Sequence, residues 1–415
     1  MLNFIKTSLA GLVLRSVSSL SKFLIVVYIA KYFSTDDLGV FGLFNSTIIL
    51  AIYLLGFEFY NFNTREILSV TPDKISRYIR DQFLAFAFTY LIVLPALLLV
   101  FFQDFLPAEY LIWFYAILIT DHLSVEFYRI FTVLSRPVFA NIVFFIKTGF
   151  WSLGLIALWM VGMESTKTLS VVWLAWFGGS FLACLLSVWY LHFLKIDLFT
   201  LEPVDWSWIK RGYKVSLPFF IIAISLRLIE QSGRFFIDSW YSRSLVGIYS
   251  LFWNIANLEN IVIFTGIIMI LYPKLVESFK KGQQAEFDRV LNQFKKLTCL
   301  SSLLLAVALI LFIGPVLGFL GKNEFYAHLP VYYILIVANT ILNISYVPHY
   351  ILYAKDADRL IVWSTLTGSI INIAGNILLI PHFGMIGAAA SILVSYLVIG
   401  GLKYYYVQHL KPGTA

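Results

Sequence analysis

The chain has 415 residues, 60% hydrophobic and 13% charged, with a mean hydropathy of +0.85 and a formal net charge of +7. A soluble fold is excluded, because a soluble domain of this length cannot hide so much apolar surface. Two cysteines, Cys184 and Cys299, both in or beside apolar runs, exclude a disulfide framework and a zinc cluster.

Apolar runs of spanning length lie near 7–30, 41–61, 83–102, 110–128, 138–162 and 169–193, and again near 215–238, 246–272, 298–320, 330–353, 360–380 and 385–407. Each is long enough to cross a hydrocarbon core. In lipid the backbone must be satisfied internally, so such runs are helices or barrel strands; they lack the two-residue alternation of barrel strands and are predicted as helices. The first run carries Arg15 and Lys22 and no small-residue cleavage site, so it is expected to be a retained span rather than a cleaved leader. The predicted fold is therefore an all-α integral membrane protein of about twelve spans.

Positive charge orients it. With the N-terminus inside, 21 of the 30 Lys and Arg fall in inner segments and 4 in outer ones (Lys31, Lys167, Arg243, Lys322). The other 5 (Arg15, Lys22, Lys147, Arg227, Arg234) lie within spans. That bias predicts both termini in the cytoplasm and explains the net charge without nucleic acid. Outer loops are too short to carry an enzyme's site, so no enzyme is expected. In 273–297, Phe287, Val290, Leu291 and Phe294 share a helical face, which fits either a helix lying on the membrane surface or a solvated connector; Ile75, Tyr78 and Ile79 in 64–82 read alike.

A shift of 208 residues superposes Ile29–Phe44 on Ile237–Phe252 with five identities, including Gly39/Gly247, Leu43/Leu251 and Phe44/Phe252. With a small insertion, Ile75, Arg77 and Ile79 fall on Phe287, Arg289 and Leu291. Two six-helix bundles in the same orientation follow, 1–193 and 215–415 joined by a linker over 194–214, with a solute path expected between them.

Charge at membrane depth is rare and calls for a reason. Arg227, Glu230, Arg234 and Asp238 are spaced to share one helical face. Ser8, Arg15, Ser18, Ser19 and Lys22 share another, and no carboxylate of that span neutralises the two cations. Arg15, Lys22, Lys147, Arg227 and Arg234 are thus the candidates for gripping an anionic group. Asp121, Glu230, Asp238 and Glu259 are candidates for ion coupling or for pairing with those cations, and Glu126 for pairing with Arg129. Asparagine stripes at 254/257/260, 339/343 and 372/376 suit interhelical hydrogen bonds, and Pro95, Pro218, Pro315 and Pro348 interrupt spans. No Gly-rich phosphate loop and no metal-ligand spacing occurs, so neither nucleotide hydrolysis, a metal nor a cofactor is expected.

Three stretches carry a family resemblance. Asp36–Gly42 resembles the acidic-then-Gly-aromatic turn of polysaccharide-unit (O-antigen type) flippases, and Ser216–Phe219 with Val246–Ser250 looks like that family's midpoint signature. Ile371–Asn376 through Ile380–Ala389 is similar to its span 11–12 pattern. The resemblance implies membership of the multidrug/oligosaccharidyl-lipid/polysaccharide exporter superfamily and a V-shaped cavity between two bundles. It also implies flipping of an undecaprenyl-pyrophosphate-linked oligosaccharide across the bacterial inner membrane for O-antigen or capsule synthesis, driven by a gradient of H+ or Na+. Membrane lipids and other polysaccharide assembly proteins would be partners. A drug or organic-cation antiporter of the same superfamily is the alternative; it would prefer an acidic cavity, against which Arg15 and Lys22 speak.

Overall fold

The computed structural model describes residues 2–409, with the side chains of 2–10, Leu12 and Asp73 left aside. Among the described residues the regular structure is entirely helical. In chain order the helices are α1 (Leu2–Tyr32), α2 (Thr35–Gly56), α3 (Tyr60–Ser69), α4 (Ile75–Phe102), α5 (Leu111–Val133), α6 (Pro137–Met160) and α7 (Leu169–Phe193). They continue as α8 (Trp206–Trp240), α9 (Arg243–Lys280), α10 (Gln284–Leu320), α11 (Leu329–Ala354), α12 (Asp358–Phe383) and α13 (Met385–His409). Eleven helices are long and apolar enough to cross a membrane. The twelfth of spanning length, α5, is 23 residues long but carries Asp121, His122 and Glu126. The protein is a multi-pass membrane protein of the predicted architecture.

The chain forms two compact units: Met1–Phe33 with Leu43–Ile224, and Ser34–Gly42 with Ser225–Ala415. In the first, Ile67, Ile79, Phe127, Phe131, Val143 and Leu191 make one core, and Phe59, Phe62, Phe86 and Trp208 make an aromatic core beside it. In the second, Leu271, Leu275, Phe287, Val290, Phe294 and Ile351 join α9, α10 and α11. Outward-facing side chains such as Leu91, Ile92, Leu99, Phe102 and Leu311 stay exposed, as lipid contact requires.

Neither amphipathic segment is a separate surface helix. Residues 284–297 are the first turns of the 37-residue α10, and their apolar face is buried against α9 and α11. Ile75 and Ile79 likewise open α4 and pack into the core of their unit. An apolar stripe reports that something covers it; here protein covers it rather than lipid headgroups. The helices run on through Pro218, Pro315 and Pro348, whereas α4 is interrupted at Leu98, three residues beyond Pro95.

The repeated glycines have a geometric cause. Within the second unit the first turns of α2 cross those of α9, and a Cβ added at Gly39 would overlap the Arg243 carbonyl oxygen and lie 2.7 Å from its carbon. A Cβ at Gly247 would overlap the Thr35 carbonyl oxygen and sit 3.0 Å from the Gly39 nitrogen. Arg243 is the 208-residue counterpart of Thr35, as Gly247 is of Gly39, so each copy makes the other's contact. Ser244 donates to Thr35 Oγ1 across the crossing at 2.7 Å. Backbones this close require residues without side chains.

The linker ahead of α8 is pinned electrostatically. Arg80 donates to the carbonyl of Thr200, and Arg77 meets Asp205 at 3.4 Å. Asp205 caps α8 by accepting from the Trp208 N–H (2.9 Å) and from the Ser207 hydroxyl (2.6 Å). Those bonds, and the nearby Arg77 charge, hold its carboxyl below the usual carboxylate range.

Candidate functional site

In the first unit the intramembrane charges of α1, α5 and α6 converge. A π-turn over Ile146–Phe150 interrupts α6, and such turns re-aim the side chains they carry. α7 passes close against it at Gly179, where an added Cβ would lie 3.0 Å from the Ile146 carbonyl oxygen. Lys147, on the turn, reaches Asp121 Oδ2 of α5 at 2.7 Å. The other oxygen of Asp121 accepts from Ser180 (3.1 Å) and from the Trp176 indole (3.3 Å) of α7. Both members of the pair are buried, at 4% and 5% exposure.

Lys22 is different. It is exposed, makes no ion pair among the described residues, and lies with Nζ 6.0 Å from the Phe144 ring within electrostatic reach of both Lys147 and Asp121. Arg15, two turns earlier on the same face of α1, is half-buried and donates to the Tyr128 hydroxyl at 3.5 Å. Ser18 and Ser21 bond back to carbonyls of their own helix, at Leu14 and Ser18; the Ser8 side chain lies outside the described residues. Two lysines therefore lie within electrostatic reach of one carboxylate, Lys147 takes the direct ion pair with Asp121, and Lys22 is left reachable.

A second polar network in this unit joins α2, α3, α4 and α5. Arg129 pairs with Glu126 at 2.6 Å and approaches Glu58 at 3.7 Å, with its guanidinium 3.7 Å over the Tyr60 ring. Gln82 donates to Glu126 at 2.8 Å and receives from Asn63, while Tyr90 and the His122 Nδ1 are 2.7 Å apart. The left-handed backbone at Phe57 and Glu58 (φ +48° and +55°) ends α2 just where Glu58 meets Arg129.

In the second unit the α8 stripe separates into unlike parts. Arg227 pairs with Glu230, and Asp238 lies 3.6 Å from Arg243. Arg234 is 3% exposed and commits its donors to Ser250 Oγ (2.9 Å), the Glu230 carbonyl (2.9 Å) and Gln231 (3.0 Å), within cation–π range of Tyr249 and Trp253. Arg234, one of the cations expected from the sequence to grip an anion, fastens α8 to α9 through these bonds. Ser232, Asn372 and Asn376 form one hydrogen-bonded cluster, as an interhelical stripe should. Glu259 of α9 is wholly buried and takes bonds from Thr340 and Asn343.

Sequence reasoning missed several buried polar residues: Asn63, Gln82 and His122 in the first unit, and Lys403 in the second, where His349 is half-buried. Lys403, one of the 21 cations assigned to the inner side, stands in α13 at 4% exposure with no ion pair among the described residues. The signal was available, since position 403 falls inside the apolar run 385–407.

No family model and no curated sequence matches the chain. Solved structures do. The chain is similar to an inward-facing multidrug resistance MATE family transporter of the MOP superfamily (TM-score 0.73, 14% identity, 98% of this chain and 100% of that one). It is also similar to the lipid II flippase MurJ in an inward closed conformation (TM-score 0.75, 14% identity, 97% and 87%). This is the MOP transporter fold. A third structure of that fold, a MOP superfamily transporter from Pyrococcus furiosus described as having a binding pocket of reverse polarity, matches at a TM-score of 0.62 with 14% identity over 97% and 93% of the chains. Within the MOP fold, the helices α1, α5, α6 and α7 of this chain carry the cation-rich site described above.

Proposed function

We propose that the protein is a flippase that moves an undecaprenyl-pyrophosphate-linked oligosaccharide across the bacterial inner membrane by alternating access, for O-antigen or capsule synthesis, with an ion gradient as its drive. The observation that carries this reading is Lys22: an exposed ammonium at membrane depth, without an ion pair among the described residues, beside the Lys147–Asp121 pair and on the Arg15 face of α1. An unmatched cation is costly in hydrocarbon and is retained where it meets an anion. A pyrophosphate supplies strong acceptors and negative charge to such a group. The MOP fold shared with a lipid II flippase supports the substrate class, and the resemblance of Ile371–Asn376 and Ile380–Ala389 to the polysaccharide-unit family supports the pathway.

The test is complementation. Deleting the gene in a polymer-producing host should abolish surface polymer and accumulate lipid-linked units inside. Plasmid-borne Lys22→Ala or Arg15→Ala should fail to restore export while inserting normally. Normal export by both variants would remove these residues as ligands. Unchanged polymer with raised dye sensitivity in the deletion would identify a drug antiporter instead.

A further inference from the structure

The linker 194–205 between α7 and α8 carries two large apolar side chains with nothing over them: Phe199 is 85% exposed and Leu201 100%. The chain beneath them is firmly held. Ser76 Oγ accepts from the Asp197 N–H at 3.1 Å, and Arg80 donates to the Thr200 and Glu202 carbonyls at 2.7 and 2.5 Å. Ile196 and Leu198 face inward and pack on the core of their unit. Apolar side chains held outward on a fixed frame mark a surface that an apolar partner covers.

Two open grooves flank this ridge. One, of about 680 Å³, lies between the ridge and the end of α7, with Val188, Phe193 and Ile196 in its wall together with His192 and Lys195. The other, of about 330 Å³, lies between the ridge and α4, where Phe83, Leu84 and Arg80 line it. Leu198 and Phe199 belong to both. Two apolar grooves with one shared wall suit the two chains of a diacyl lipid, whereas a docked helix, about 10 Å across, calls for one continuous groove.

The surrounding charge selects the headgroup. Lys195, Lys210 and Lys214 are exposed and make no ion pair among the described residues. Lys210 and Lys214 follow Trp206 at four-residue steps and so share its face of α8. Trp206 meets Phe88 of α4 edge-on at 5.6 Å, one turn beyond Leu84, which brings that basic face beside the second groove. Of the nearby acids, Asp205 caps α8 and meets Arg77, Asp197 accepts from the Phe199 N–H at 2.8 Å, and Glu202 is exposed to solvent. The charge bias assigns this side to the cytoplasm, where the leaflet surface is negative.

We propose that the linker, with α4 and the end of α7, binds one anionic diacyl phospholipid, its chains in the two grooves astride Phe199 and its phosphate at Lys195. This lipid would stay with the protein whatever solute is moved. The test is lipid retention by the purified full-length chain, read by native mass spectrometry after delipidation and incubation with phosphatidylglycerol or phosphatidylcholine of identical chains. Wild-type protein should retain one phosphatidylglycerol at about a tenth of the concentration needed for phosphatidylcholine. Lys195→Ala should remove most of that preference, and Phe199→Ser should raise both concentrations about tenfold. Leu311→Ser, at an exposed position of the second unit, should change neither. Equal retention of the two lipids by the wild type would overturn the proposal, as would wild-type preference in Lys195→Ala or wild-type retention in Phe199→Ser. So would displacement of the lipid by inorganic phosphate, or a lipid-free dimer that Phe199→Ser dissociates, which would make the ridge a contact between two copies. None of these outcomes bears on complementation, so failure here is distinct from failure of the flippase reading.

Discussion

Replacing Gly247 by alanine isolates the close crossing of α2 and α9 from every charge in the protein. The added methyl would overlap the Thr35 carbonyl oxygen and lie 3.0 Å from the Gly39 nitrogen, while at Gly39 the equivalent methyl would be 2.7 Å from the Arg243 carbonyl carbon. Unstrained carbon contacts begin near about 3.5 Å, so the helices must part by roughly 1 Å, and no flexible side chain is available to yield. Overpacking of this kind costs about 1–3 kcal/mol. Against it stands the gain from replacing a helical glycine by alanine, about 0.5–1 kcal/mol. Gly178→Ala on α7 provides the control, because nothing lies within 4 Å of its added methyl. In unfolding titrations with SDS in mixed micelles, Gly178→Ala should be neutral or slightly stabilised, and Gly39→Ala and Gly247→Ala destabilised by net amounts of about 1–2 kcal/mol. If Gly247→Ala unfolded with the control, the crossing would not be backbone-limited and the geometric reason for the repeat would fall.

The Lys147–Asp121 pair should behave as a buried pair: Asp121→Asn strands the ammonium and is expected to cost about 3–5 kcal/mol, with Lys147→Met/Asp121→Leu recovering much of it, as read by a double-mutant cycle in the same titration. Lys403→Met should raise stability by roughly 1–3 kcal/mol, since it removes a buried cation that has no acidic partner among the described residues; a loss of stability would mean that Lys403 is neutralised within the fold. Asp205→Asn keeps a capping oxygen but removes the charge, and should weaken the start of α8 by less than about 1 kcal/mol, the charge being largely solvated. Because the folded protein holds the Asp205 carboxyl below its usual range, this contribution is complete above about pH 4 and fades as pH falls through the lowered value. The gap between wild type and variant should therefore narrow on acidification, which stability measured from pH 7 to pH 3 checks.

The sequence by itself determined what depends on local composition. A run such as 169–193 must be a helix in lipid wherever it sits, the paired glycines at 39 and 247 mark a backbone contact before any partner is known, and Arg129 lies one helical turn from Glu126. Tertiary structure decided everything that depends on how helices are rotated about their axes. Asp121 could meet Lys147 only once α5, α6 and the π-turn were phased against one another; Arg234, alike in sequence to Arg227, was turned inward onto Ser250; Lys403, assigned to the inner side, was buried within α13. Glu259 was visible from the start as a charge in a span, but its partners Thr340 and Asn343 could be read only after α9 and α11 had been placed. An ion pair between helices is fixed by ångström-scale proximity of residues far apart in the chain, and no spacing along one helix encodes it.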